Sequence, residues 1–185
     1  MARGIWIDFD HQSMTALVNA FGATEAQFEA AMRSTYGKMG RWLRSRGTRE
    51  LSAVLKIKQK ILRGRIKEFR MQGGIANHGK EAGAKVWFGL RPISLMRLNA
   101  RKVAGGVKAD GGRFVAGAFI ANVHGHKQVM KRAGASRLPI EAVYADIDEP
   151  ALVYVEDNLI GTTEFDNQFF KFLEHELRWR TQILK

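Results

Sequence analysis

The chain of 185 residues contains no cysteine. Disulfides, thiolate nucleophiles and cysteine-ligated zinc are therefore excluded, and a reducing compartment is a natural setting. Proline occurs only three times, at positions 92, 139 and 150. Long apolar runs are missing too. Near the N-terminus only Ile5, Trp6 and Ile7 are contiguously apolar, too few for the core of a signal peptide, and no run approaches membrane-spanning length. The expectation is a soluble intracellular protein without a membrane partner. Acidic residues are scarce as well, but unevenly so. Residues 33–70 hold 13 Lys/Arg against 2 Glu, and residues 77–140 hold 12 against 2, whereas residues 141–176 hold 10 acids against Lys171 alone.

What is present is enough to fold. Apolar residues make up 45% and aromatics 10%, which argues against wholesale disorder, and the length suits one domain of ordinary size or one domain with a helical appendage. The net charge of +12 is split into local values of +11, +10 and −9 over the three stretches above. Such a dipole suits nucleic-acid binding or the packing of a basic face against an acidic one in an oligomer.

Hydrophobic spacing sets the expected elements. Ile5 to Phe9 reads as extended, and Ser13 to Phe21 as a helix ended by Gly22. Thr24 is a candidate N-cap with Glu25 in the first turn. Phe28, Ala31, Met32, Tyr36, Met39, Trp42 and Leu43 then recur at helical steps. Gly47-Thr48 reads as a break or kink. Leu51, Val54, Leu55 and Leu62 continue the helical pattern to Gly64, and Arg65 to Met71 reads as extended. Lys85 to Leu90, Val103 to Ala109, Arg113 to Ala121 and Gln128 to Arg132 read as strands of one small antiparallel sheet. Asp110-Gly111-Gly112 supplies a hairpin turn, and His124-Gly125-His126 another. Pro150 is placed at the first position of a helix. Gly161-Thr162-Thr163 marks a kink or fresh cap, followed by Phe165, Phe169, Phe170, Leu173, Leu177 and Leu184 as an apolar face. The fold class is α+β, a small mostly antiparallel β-sheet core flanked by long amphipathic N-terminal and C-terminal helices. The segments are a basic helical region 1–72, a β-rich core 73–147 and a helical arm 148–185, together one structural domain.

Chemistry is harder to find. Gly74 to Glu81 has the Gly-x4-Gly-Lys spacing of a phosphate loop, but Glu81 stands where a magnesium-binding hydroxyl belongs, and a strand rather than a helix follows. His124 and His126 could face one metal, yet no third ligand lies near them in sequence. Asp8 and Asp10 form a pair better suited to capping than catalysis, and no serine sits in a nucleophile elbow. A metal enzyme or nuclease built on these groups is the weakest reading. No catalytic, cofactor or metal residues are assigned.

The cations are the stronger signal. Arg41, Arg44, Arg46, Arg49, Lys56, Lys60 and Arg63 lie in or near basic helices and are candidate contacts to DNA phosphates or to an acidic partner. Aromatic interleaving is thin there, because Trp42 falls on the apolar stripe and only Phe69 lies among the later cations. Lys131, Arg132 and Arg137 surround a Gly134-centred turn before Leu138-Pro139-Ile140. Pro139 cannot donate to a ladder, so this segment reads as a sheet rim with Leu138 and Ile140 packed inward and the cations outward. Asp146, Asp148, Glu149, Glu156 and Asp157 are candidate acidic subunit contacts.

Residues 89–144 carry an ordered set of features. They are Arg91-Pro92-Ile93-Ser94-Leu95, Ala100-Arg101-Lys102, Gly106-Val107 and Gly111-Gly112-Arg113. Then follow Gly117-Ala118-Phe119-Ile120-Ala121, Gly125-His126 with Val129, and Arg132 before Ser136-Arg137-Leu138-Pro139-Ile140. This set resembles the minor tail protein Z family of lambda-like tailed bacteriophages and prophages. The basic helices upstream match that family in character only. Where the family often has a Gly-Pro-Ser type turn after Leu-Pro-Ile, this chain runs from Tyr144 into Ala145 to Pro150. The resemblance implies a structural virion protein at the head–tail neck that completes the tail or connector and helps seat DNA, without catalysis or cofactor. Implied partners are tail-terminator and head-completion proteins and further copies in a homo-oligomeric ring. The implied location is the virion, and the host cytoplasm before assembly. The alternative is a basic nucleic-acid-binding protein using the Arg41–Arg70 helices.

Overall fold

The computed structural model describes residues 3–5, 16, 19–70 and 84–183. Its architecture is α+β, with antiparallel strand pairs throughout. Asp8, Asp10, the Gly74–Glu81 loop and Leu184 lie outside the described residues, as does most of the expected 5–9 strand and part of the 13–21 helix. The chain forms two compact units, each assembled from separated stretches. A helical unit takes residues 2–48, 65–89 and 155–185, and a β-rich unit takes 49–64 and 90–154. Each of the three segments named from the sequence is divided between these units.

The helical unit is built on the long helix α1 (Glu25–Leu55), whose last two turns belong to the β-rich unit. Before α1, residues 19–21 are helical and Gly22 closes them with φ +58°. Thr24 then caps α1 in a reciprocal box. The Gln27 N–H donates to Thr24 Oγ1 at 3.3 Å, and the Thr24 N–H donates to Gln27 Oε1 at 2.8 Å, so two orphan donors of the first turn are satisfied. The Ala31, Met32, Tyr36, Met39 and Leu43 stripe is buried.

Of the break or kink expected at Gly47-Thr48, the break does not occur, and α1 continues as helix through both residues. Gly47 is there for space. A Cβ at that position would lie 3.1 Å from Phe88 Cε1 and 3.4 Å from Leu159 Cδ1, so the bare backbone lets an aromatic ring approach. Thr48 satisfies its own hydroxyl by donating to the Arg44 carbonyl at 2.7 Å. Helix α1 stops at Leu55, where Lys56 turns to φ +51°. The short helix α2 (Gln59–Arg63) follows, capped by Gly64. The sequence pattern ran across this turn because Leu55, Ile57 and Leu62 are all buried.

Strand β1 (Arg3–Ile5), β2 (Ile66–Arg70) and β3 (Ala84–Phe88) form a sheet with β3 in the middle. Ile66, Val86 and Phe88 point into the core. The C-terminal helix α4 (Thr163–Ile183) closes the unit. Thr162 caps it, its Oγ1 accepting from the Phe165 N–H at 3.2 Å. Phe165, Phe169, Leu173 and Leu177 are spaced by four and all are buried. Each stabilises by roughly 1.5–3 kcal/mol, whereas the exposed Arg178–Glu174 pair on the same helix is worth at most about 1 kcal/mol. Packing therefore dominates the attachment of α4.

The β-rich unit holds three further small sheets rather than the single sheet expected. These are β4 (Ile93–Ser94) with β11 (Tyr144–Ala145), β5 (Arg101–Val103) with β6 (Gly106–Ala109) and β7 (Arg113–Ala116), and β8 (Phe119–Val123) with β9 (His126–Arg132) and β10 (Ile140–Ala142). Two expected strands are divided. Gly105 at φ +76° turns the 103–109 run into the β5–β6 hairpin, and Gly117 at φ +70° separates β7 from β8. Both expected turns are present: Gly111 and Gly112 between β6 and β7, and His124-Gly125 between β8 and β9, all with positive φ.

The Asp110 turn is anchored to the end of α1. Arg113 donates to the Leu55 carbonyl at 2.8 Å and the Asp110 carbonyl at 2.9 Å, and Lys58 pairs with Asp110 at 3.3 Å. A guanidinium on a terminal helix carbonyl satisfies an orphan acceptor and suits the helix dipole. Helix α3 (Asp148–Tyr154) starts two residues before Pro150. Proline thus sits at the third helical position, still within the first turn, where its missing N–H leaves no bond unmade. A π-helical turn (Val155–Leu159) continues from α3, burying Val155 and Leu159 in the helical unit.

Candidate functional site

The cations named on α1 do not share one face. Arg46 lies about 140° around the helix from Arg41 and turns inward. It pairs with Glu164 of α4 at 2.7 Å and places its guanidinium 5.1 Å from the centre of the Trp42 ring. Arg41 is exposed and Arg44 half-buried. Arg49 belongs to the β-rich unit and is exposed, with a long 3.5 Å approach to its neighbour Glu50. Lys56, Lys60 and Arg63 are exposed on the same unit.

The 131–137 corner has its cations outward. Residues 131–139 are all exposed, Lys131, Arg132 and Arg137 among them. The corner closes through Ala133 N–H donating to the Pro139 carbonyl at 3.1 Å, and β10 pairs with β9 from Ile140 opposite Arg132. The sequence placed Leu138 inside, but it is 68% exposed. The ladder starts only at Ile140, so Leu138 stays on the projecting corner. Strand β10 is an edge of its sheet, as the proline predicted.

Of the candidate acids, Asp146, Glu149, Glu156 and Asp157 are exposed and Asp148 is half-buried. Asp148 and Glu149 stand in the first turn of α3, where negative charge opposes the helix dipole. Other acids of the 141–176 stretch are used within the chain, Glu164 by Arg46 and Glu176 by two cations. Glu176 is only 7% exposed, accepts from Lys38 at 2.5 Å, and is also bonded by Arg180, which donates to Ser34 Oγ at 2.9 Å. Burial alone raises its carboxyl. The hydrogen bonds and charges of Lys38 and Arg180 outweigh that, and the group is held below the ordinary glutamate range. His124 and His126 are exposed on the β8–β9 hairpin. Among the described residues no three His, Asp or Glu side chains gather to hold a metal.

The helical unit carries a feature the sequence reading missed. Helices α1 and α4 run antiparallel, as shown by the pairing of Arg46 with Glu164 at one end and Gln27 with Arg180 at the other. Along this pair lies an open groove of about 610 Å³, lined by Lys38, Arg41, Trp42 and Ser45 of α1 and Lys171, Phe172 and His175 of α4. The α1 residues follow the three- and four-residue steps of one helix face. Lys38 lies 5.9 Å from the centre of the Phe172 ring while bonded to Glu176. Neither Arg41 nor Lys171 has an acidic partner among the described residues, and both are exposed. Lys171 was hidden because it is the lone base in an acidic stretch. The second ring, Phe172, lies far along the chain from Arg41, beyond any local window.

Comparison with known protein families, with curated proteins and with solved structures finds no match to this chain.

Proposed function

We propose that this chain is a structural component of a tailed-phage neck or tail, completing the tail or connector by fitting charged surfaces against neighbouring proteins. The observation that carries this reading is the projecting corner 131–139. It sets three exposed cations around an exposed leucine at a sheet edge, which is the make-up of a docking element: an apolar anchor within a charged rim. The motif residues of the phage-family resemblance, from Arg91 to Ile140, fall in the β-rich unit. That unit carries 15 Lys/Arg against 6 Asp/Glu, a net +9. Its neighbours are then acidic surfaces on tail-terminator or head-completion proteins, or the exposed acids Asp146, Glu149 and Asp157 of another copy in a closed ring. The protein resides in the virion and, before assembly, in the host cytoplasm.

Sedimentation velocity and native mass spectrometry at low and high salt test the ring. The expected result is self-association at low salt that recedes as salt screens the contacts. A monomer at every concentration, with or without neck proteins, contradicts it. The nucleic-acid reading is favoured by one observation, the cationic aromatic groove of the helical unit.

A further inference from the structure

We infer that the groove along α1 and α4 is a binding site for single-stranded nucleic acid, in which bases stack on Trp42 and Phe172 while phosphates meet Arg41 and Lys171. This inference is independent of the assembly reading and rests on the groove alone.

Three observations lead to it. The first is the character of the apolar lining. Three of the seven lining residues carry rings, the Trp42 indole, the Phe172 phenyl and the His175 imidazole, and none is a leucine, isoleucine, valine or methionine. A helix docking in a groove seeks pockets for branched aliphatic anchors, whereas flat rings suit flat bases, whatever their identity. The second is where the free charge stands. Arg41 comes from one wall and Lys171 from the other, so a phosphate chain meets a cation on either side. Lys38 is paired with Glu176 and stands 5.9 Å from the centre of the Phe172 ring. The third is access. The groove is open, and its volume of about 610 Å³ lies in the range of small-ligand sites, while an open trough admits a strand passing through. Duplex DNA keeps its bases stacked inside and offers no free face to the rings, so the site selects unpaired strands.

The test uses the full chain and tryptophan fluorescence. Titration with oligo-dT should quench emission, and the affinity should fall as salt rises, because phosphates release counterions. An abasic oligonucleotide of equal length should bind roughly tenfold more weakly, the loss expected from a base–ring stack. Arg41→Glu and Lys171→Glu change exposed side chains and should leave the melting temperature unchanged. Each should weaken oligo-dT binding several-fold and flatten the salt slope by about one phosphate contact. Phe172→Leu keeps an apolar floor and should abolish the difference between oligo-dT and its abasic counterpart. Equal binding of the abasic strand, of duplex DNA or of a poly-glutamate peptide to the wild-type protein overturns the inference, as does oligo-dT binding that both charge reversals leave intact.

Discussion

Gly47 sits inside a helix where alanine would be favoured by about 1 kcal/mol, and Phe88 explains why glycine stands there. An added methyl would meet the Phe88 ring at 3.1 Å and the Leu159 side chain at 3.4 Å, so each further atom must displace one of these two side chains. Gly47→Leu is expected to lower unfolding free energy by about 1–3 kcal/mol, measured by urea denaturation. Glu176 gives a second prediction at this scale. Its carboxyl titrates lower in the folded chain than in the unfolded one, so the stabilisation it supplies is complete at neutral pH. It fades as pH falls through the folded value, below the ordinary value of about 4.3. Glu176→Ala should cost roughly 1–3 kcal/mol near neutrality, and the gap to wild type in pH-dependent denaturation should close in acid. The role of Thr24 was legible from the sequence because capping is local. That of Gly47 was not, since glycine in a helical pattern signals either a break or a close approach, and the deciding ring lies on a distant strand.

Among the elements, α1 depends on both of its ends. Thr24→Ala removes the oxygen that accepts from Gln27, and an expected loss of about 1 kcal/mol can be read from thermal unfolding. At the other end Arg113 bonds the Leu55 carbonyl. Arg113→Ala should destabilise by roughly 1.5–3 kcal/mol and raise hydrogen exchange at the end of α1 and in the β6–β7 turn. Helix stripes and hairpin turns were readable because they are periodic or rest on Asp-Gly and His-Gly signals. The division into four sheets was not. Gly105 and Gly117 lie inside runs that alternate well enough to read as continuous strands, and strand pairing is decided by partners outside the run. Leu138 misled in the same way: alternation assigns a face only where a ladder exists, and the ladder starts at Ile140.

Across the whole molecule, the strong contrast between basic and acidic stretches was visible in the sequence, but its use was only partly so. Some of the opposite charge meets inside the helical unit, at Arg46–Glu164 and Lys38–Glu176, which leaves that unit's residues at 15 Lys/Arg against 12 Asp/Glu. The β-rich unit keeps the larger excess and bears the projecting corner. Of the residues in the groove, Arg41 was recognisable as a candidate, while Lys171, Phe172 and His175 became so only when α4 folded alongside α1. The most direct measurement of the assembly account is incorporation into tail particles of the wild-type chain and of the variant carrying Lys131→Glu, Arg132→Glu and Arg137→Glu. The variant should melt with the wild type, since these side chains are exposed, yet be missing from purified particles. Incorporation of the reversed corner at the wild-type level would contradict the account.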